Sequence, residues 1–515
     1  MKKIMPFMVF FTVFSFLFTT CLFHLPVSTG ERKIGSESQR EYLALIKAKG
    51  GPRISTEDEL KIMAQAILTP LDNYRSPSVS ETAITGTIKL PIGGYAVVPG
   101  RAIEPGVSPV EVYAFTTENG ITGEQGFILA CNDNRMGNIL AVIDSGVPNN
   151  PDEPFLKFLY SQVENHFKST ILIYDSITDE DVEVAKKARN ITPDSGSGIW
   201  TGFPESGFLL SDDVVEAAWF WNEGYYSNTI AEWGQGSLYN KYILELVDDL
   251  QDIDEDSNCV GSETVAIAHI MAHFGWPELY NEDDSLDYTP DPGLEQYDWQ
   301  NMNSKETIYC FDPNDPAVDQ IALLMYEIGQ RLQYQYDSRF NFVAGIENIM
   351  NVFYEMGYTT AVDFNDYDYT TFSKIRTSIM NGSPVMVYAT TSNGNSHGPN
   401  YWHFAHAFVI DGVRNMMYQE KDSTGQTSSI GLGSLIQFVR CNMGFGQTGP
   451  LDDNGDEIQK KYNGWYRSSL LETQSLDLSK LTFISYARNF VGYAEWETGI
   501  FNKSIIYLDG IYPDN

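Results

Sequence analysis

Ser262 heads an alanine-rich apolar run, SETVAIAHIMAHFGWP, with Gly261 before it and Cys259 three positions upstream. A hydroxyl or thiol in the first turn of a helix is well placed to act as a nucleophile, because the free N–H groups there favour negative charge. To act, it needs a base, a group that orients the base, and a donor for the oxyanion that forms when a carbonyl is attacked. The plainer role for Ser262 is an N-cap, with its hydroxyl accepting a hydrogen bond from a free backbone N–H, and the local residues alone favour that role. The chain has seven histidines, and six of them bear on the choice of base. His24 lies in an apolar leader and His166 in the first half of the chain. His269 and His273 are spaced i, i+4, whereas His403 and His406 share the segment YWHFAHAFVIDG. His406 leads into an apolar strand, a rigid support for an imidazole, although a buried structural histidine is the ordinary alternative.

Metal chemistry has weaker support. His269 and His273 have the spacing of zinc ligands, but Ile270 stands where an HExxH site needs its glutamate, and the chain has no CxxC pair. The runs DIDEDSN and LDDNGDE alternate as calcium loops begin, with Asp252, Asp254 and Asp256, and Asp452, Asn454 and Asp456. Ser257 and Glu457 occupy the position where such a loop requires glycine, so both runs read as solvated charge. No metal and no cofactor is expected.

The elements that must hold these groups are helices and strands in two sets. STEDELKIMAQAIL starts with Thr56 and Glu59 in capping-box register and places Leu60, Ile62, Met63, Ala66 and Ile67 on an apolar face. EVYAF, GFILA and NILAVID follow as short strands separated by turn residues, which makes a first α+β unit to about residue 190. NITPDSGSGIWTGFPESG has no apolar period and reads as an exposed linker. Beyond it, DQIALLMYEIGQRL and GIENIMNVFYEMGY predict helices, and VMVYA and HAFVID predict strands. The helix after Ser262 is expected to turn Val265, Ala268, Ile270, Met271 and Phe274 to a core. The fold class is therefore α+β, and a chain of 515 residues is expected to hold two folded units plus an export segment.

The balance of 33 Lys+Arg against 69 Asp+Glu, a net charge of -36, disfavours nucleic acid and anionic lipid as partners. The start, MKKIMPFMVFFTVFSFLFTTCLFHLPVSTG, has two lysines and then an apolar run through Leu25, as an export signal does. Three outcomes stay open: cleavage and secretion, lipid anchoring at Cys21, and an intact anchor, since roughly 20 apolar residues span a bilayer. Cys131, Cys259, Cys310 and Cys441 are too sparse for a disulfide scaffold.

With these residues in view, GSETVAIAHIMAHFGWP resembles the nucleophile helix of streptopain-type cysteine peptidases, whose pattern runs Gly-Cys-Val-Ala-x-Ala-x-Ala-Gln-Ile-Met with a His and a Pro beyond. Aligning Ile270 and Met271 with that Ile-Met puts Ser262, not Cys259, at the nucleophile. HAFVIDG is similar to the family's histidine motif, which makes His406 the base. WGQGSLYN resembles the segment whose glutamine is the oxyanion donor, here Gln235, and NMGFG resembles Asn-Trp-Gly-Trp-Gly, with Asn442 orienting the histidine. YAFTTENGITGEQGFILACNDNRMGNILAVIDSG resembles the inhibitory propeptide core, and SIIYLDGIYP the last strand. The insertion YQEKDSTGQTSSIGLG separates His406 from Asn442.

The resemblance implies a signal segment at 1–29, an α+β inhibitory prodomain at 30–190, a linker at 191–207 and a papain-like two-lobed catalytic domain at 208–515. It implies a bacterial endopeptidase, exported as a secreted or outer-surface protein and made as a zymogen, with protein or peptide substrates and its own prodomain as inhibitor. Three residues depart from the pattern. Serine cannot form the thiolate–imidazolium pair of a cysteine peptidase and must lose its proton during attack. Glu263 replaces an apolar residue, and Met443 replaces a tryptophan that shields the histidine and asparagine. The alternative is a catalytically silent, protease-like protein that binds peptides or a partner.

Overall fold

The computed structural model describes residues 37–505 apart from 69–81, 95–108, 190–213, 247–259, 278–296, 306–313, 335–345, 363–368, 394–401, 423–426, 431–436, 446–461, 471–481, 496–499 and gaps of one to three residues. The leader with Cys21 and His24, the linker, Cys259, Cys310 and both acidic runs lie outside the described residues.

Helices α1 (Glu37–Ala48) and α2 (Glu57–Leu68) open the described chain. α2 starts as its sequence predicts: the Thr56 N–H donates to Glu59 Oε2 at 2.8 Å and the Glu59 N–H to Thr56 Oγ1 at 3.2 Å, a reciprocal capping box. Its buried stripe is Leu60, Met63, Ala64, Ile67 and Leu68. Ile62, expected on that face, is 66% exposed and Ala66 is half-buried, because both fall off the i, i+3, i+4 line through Leu60. Strands β1 (Thr82–Gly94), β2 (Val110–Asn119), β3 (Gln125–Cys131) and β4 (Ile139–Ile143) form an antiparallel meander, and the three expected strand runs fall in β2, β3 and β4. Helices α3 (Pro154–Ser176) and α4 (Asp179–Arg189) follow.

The rest comprises β5 (Val214–Tyr226), α5 (Lys241–Leu246), α6 (Ser262–Phe274), α7 (Trp299–Asn303), α8 (Pro316–Arg331), α9 (Ile346–Glu355), β6 (Ala361–Val362), α10 (Tyr369–Met380), β7 (Val385–Asn393), β8 (Trp402–Asp422), β9 (Thr427–Ile430), β10 (Gln437–Asn442), β11 (Gly464–Arg467), β12 (Thr482–Ala487), β13 (Phe490–Glu495) and β14 (Ile500–Ile505). The mixed helix and strand content is α+β. The insertion between His406 and Asn442 builds the far end of β8 and, through β9, a hairpin in which Tyr418 faces Ile430 and Lys421 faces Thr427.

Among the described residues the main sheet runs β1-β2-β3-β4-β11-β10-β8-β7-β12-β6, with β5 and β9 also paired to β8. The meander joins the later strands through β4 and β11, where Ala141 faces Tyr466 and Ile143 faces Gly464. A Cβ on Gly464 would lie 2.3 Å from the Val142 carbonyl oxygen, so the close approach needs glycine. One apolar layer spans this join: Phe155, Leu159 and Val163 of α3 pack with Phe127 and Leu129 of β3 and with Phe408, Ile410 and Val439 of β8 and β10. On the opposite face, α1 and α2 cover Tyr113, Phe115 and Ile128, while α6 and α8 cover Met386, Ala407 and Val409. Gly35–Asn515 is thus one compact unit.

Candidate active site

Val265, Ala268, Ile270 and Met271 of the helix carrying Ser262 lie in the core as expected, with Phe274 packed against it, but burial is not confined to one face. Every residue from Ser262 to Ala272 is buried, because α8 closes one side and β7 and β8 the other, which makes α6 a core helix. Its N-cap is Gly261, with φ 89° and ψ 139°, and Ser262 is the first helical residue rather than the cap. That backbone region is essentially reserved for glycine, and a Cβ on Gly261 would also lie 2.9 Å from the Tyr334 ring. The Ser262 hydroxyl, freed from capping, accepts from the Ala407 N–H of β8 at 3.0 Å and donates to Glu263 Oε2 at 3.1 Å. The Tyr334 hydroxyl donates to the same carboxyl oxygen at 3.0 Å. All three side chains belong to buried residues, with Glu263 only 2% exposed.

His406 pairs with Ala389 of β7, one residue before the amide that meets Ser262. Alternation along β8 sends Ala407 and Val409 to the α6 face, and His406, Phe408 and Ile410 to the α3 face. The imidazole donates from Nε2 to the Met443 carbonyl at 2.6 Å and stacks on Phe445, with ring centroids 4.4 Å apart and planes 10° apart. Burial pushes its pKa down to about 4, opposed by the bond to Met443, so the ring is neutral at pH 7. The flat shield that Met443 cannot provide is therefore supplied two residues later by Phe445. The Ser262 hydroxyl has one proton, and it is directed to Glu263 and not to His406.

Asn442 ends β10 opposite Val409. Its amide donates to the Ala231 carbonyl at 2.8 Å and accepts from the Gly444 N–H at 3.2 Å, so its bonds hold the backbone on either side of the site. The turn beyond it rests on α6: Gly444 has φ 66°, and a Cβ there would lie 3.0 Å from Val265. Met443, whose carbonyl holds the imidazole, donates its own N–H to Asn463 Oδ1 at 2.7 Å. Gln235 lies buried on the segment between Ala231 and Gly236, and its carbonyl accepts from the Val260 N–H at 3.3 Å, beside the entry to α6. Of the four residues named from sequence, Ser262 meets β8 one residue after His406 and the Gln235 carbonyl meets the entry to α6, whereas Asn442 bonds Ala231 and Gly444, and the His406 side chain lies on the other face of β8, bonded to Met443 and not to Ser262.

His269 and His273 each bond a backbone carbonyl, Trp233 at 3.1 Å and Gly382 at 2.7 Å. Cys441 is fully buried in β10, and burial raises its thiol pKa well above the ordinary value. Sequence reasoning missed Tyr334, Asn463 and Phe445 as site neighbours. Only Phe445 had a visible signal, the second aromatic position of NMGFG.

No curated protein matches the chain. Residues 233–452 match the family model described as the Peptidase C10 family. That stretch holds Gln235, Ser262, His406 and Asn442, and the family it matches is the streptopain family whose motifs the sequence resembles.

Proposed function

We propose that the chain is an exported, streptopain-type endopeptidase made as a zymogen, in which the Ser262 hydroxyl attacks the carbonyl of a bound peptide. The observation that carries this reading is the 3.0 Å hydrogen bond from the Ala407 N–H to Ser262 Oγ, which brings the nucleophile position against the residue that follows His406. Gln235 serves as the oxyanion donor, and the family pattern assigns the base to His406 and its orientation to Asn442. A papain-like, two-lobed arrangement is consistent with a helical cluster around α6 and α8 meeting the β7–β8–β10 strands. Residues 30–190 act as the inhibitory prodomain. In support, Phe155 of α3 meets Phe445 edge-on at 5.6 Å, and Phe445 in turn stacks on the imidazole turned away from Ser262. The leader directs the chain to secretion or, through Cys21, to the outer surface of a bacterium.

The purified full chain should cut itself within 191–207, and Ser262→Ala should abolish that cut. The second reading, a silent binder, is favoured by the hydroxyl proton being taken up by Glu263. It predicts an uncut chain with no peptidase activity that gains turnover only as Ser262→Cys.

A further inference from the structure

We infer that Glu263 accepts the proton of Ser262 during attack, so that an adjacent serine and glutamate do the work divided between cysteine and histidine in the family pattern. The inference rests on Ser262 being the attacking group. Its basis is a set of contacts that fix one hydroxyl from two sides. The Ala407 N–H occupies one lone pair of Oγ at 3.0 Å, and the single proton points to Glu263 Oε2 at 3.1 Å. Tyr334 holds that same oxygen at 3.0 Å, and its ring fills the space that the missing Cβ of Gly261 leaves open. His406 bonds Met443 on the other face of β8. A serine, unlike a thiol, needs a base in direct contact at the moment of attack, and the group in that position is the carboxyl.

The step balances. As the Oγ–C bond to the peptide carbonyl forms, the Oγ–H bond breaks and the proton passes to Oε2. The proton then moves to the amide nitrogen as the C–N bond breaks, leaving an acyl ester on Ser262 and Glu263 as carboxylate. Water gives its proton to Oε2 while its oxygen attacks the ester. The Oγ–C bond breaks, the proton returns to Oγ, and the acid is released. Glu263 is thus a catalytic residue and Tyr334 a positioning residue that acts through it.

The test uses the full chain, matured where it cuts itself. The readouts are the rate of acylation of Ser262 by an alkyl fluorophosphonate, followed by mass spectrometry, and kcat and KM on a peptide. Glu263→Gln keeps the size and polarity of the side chain, and it should slow acylation and kcat by on the order of 100-fold or more with KM and Tm nearly unchanged. Tyr334→Phe should slow acylation less, at unchanged Tm. Acylation within about threefold of wild type in Glu263→Gln, together with its loss in His406→Ala, would overturn the inference alone, because a base in contact contributes at least about 100-fold. A wild-type chain that is neither labelled nor active would overturn the inference and the serine-nucleophile reading together. Should Glu263→Gln not fold, Tyr334→Phe decides: a fall in acylation at unchanged Tm supports the inference, and an unchanged rate overturns it.

Discussion

Replacing a thiol by a hydroxyl changes which neighbour matters at position 262. A thiolate can rest against an imidazolium, whereas a hydroxyl keeps its proton and bonds the best acceptor in reach. That acceptor is Glu263, which stands where the family pattern has an apolar residue. The imidazoles tell a related story about cost. Burial holds His166 neutral with a pKa of about 3, the nearby Arg467 adding to the effect, and holds His269 and His406 at about 4. Each folded pKa lies below the unfolded value of 6.5, so the stability these groups permit is complete above pH 6.5. It is lost as pH falls from there toward 4, where the unfolded chain binds protons that the folded chain excludes. Each group can cost on the order of 3 kcal/mol across that window. His166→Leu, remote from the candidate site, should flatten the fall of the urea midpoint between pH 6.5 and 4. A pH profile identical to wild type would contradict the burial argument.

At the scale of elements, the start of α6 and the end of β10 decide where the chemistry sits. Gly261 takes a backbone conformation closed to other residues, and this turns Ser262 from a cap into a helical residue whose hydroxyl is free to meet β8. Gly261→Ala should therefore destabilise the protein by about 1–3 kcal/mol through strain alone, and more where Tyr334 cannot move aside. The measurement is the urea midpoint of Gly261→Ala against Gly382→Ala. Gly382 also has positive φ but open space around it, so a larger loss at Gly261 reflects its glycine-only backbone region and the clash with Tyr334 together. β10 stops at Asn442 opposite Val409, two residues short of the amide that Ser262 uses. The strand end thus leaves that N–H available to the side chain.

At the scale of the molecule, the amino-terminal meander and the later strands share a sheet and an apolar layer. The β4–β11 pairing carries backbone bonds across the join, and α3 packs its aromatic residues against both sides. Cutting the linker should consequently leave the two pieces bound. After a single cut within 191–207, they should co-elute in size-exclusion chromatography at neutral pH and separate only in denaturant. Gly464→Ala places a Cβ against the Val142 carbonyl and should weaken that association. Co-elution unaffected by this substitution would place the binding elsewhere than the strand join. On the proposed zymogen reading, such association would make maturation depend on degradation of the amino-terminal piece as well as on the first cut.

Much of this was legible in the sequence where the information is local. The Thr56–Glu59 box starts α2 as written, alternation placed β2 to β4, and the apolar period placed α8, because helix and strand periods follow from backbone geometry within a few residues. The order of motifs named Gln235, Ser262, His406 and Asn442, and the fold brings Ser262 against the strand that carries His406 while turning the imidazole to the other face. What spacing could not decide was which face of β8 the imidazole takes, that Tyr334, 71 residues away, grips Glu263, or that β4 lies beside β11. Those outcomes depend on contacts between distant segments competing for the same space, and only the packed tertiary structure settles that competition.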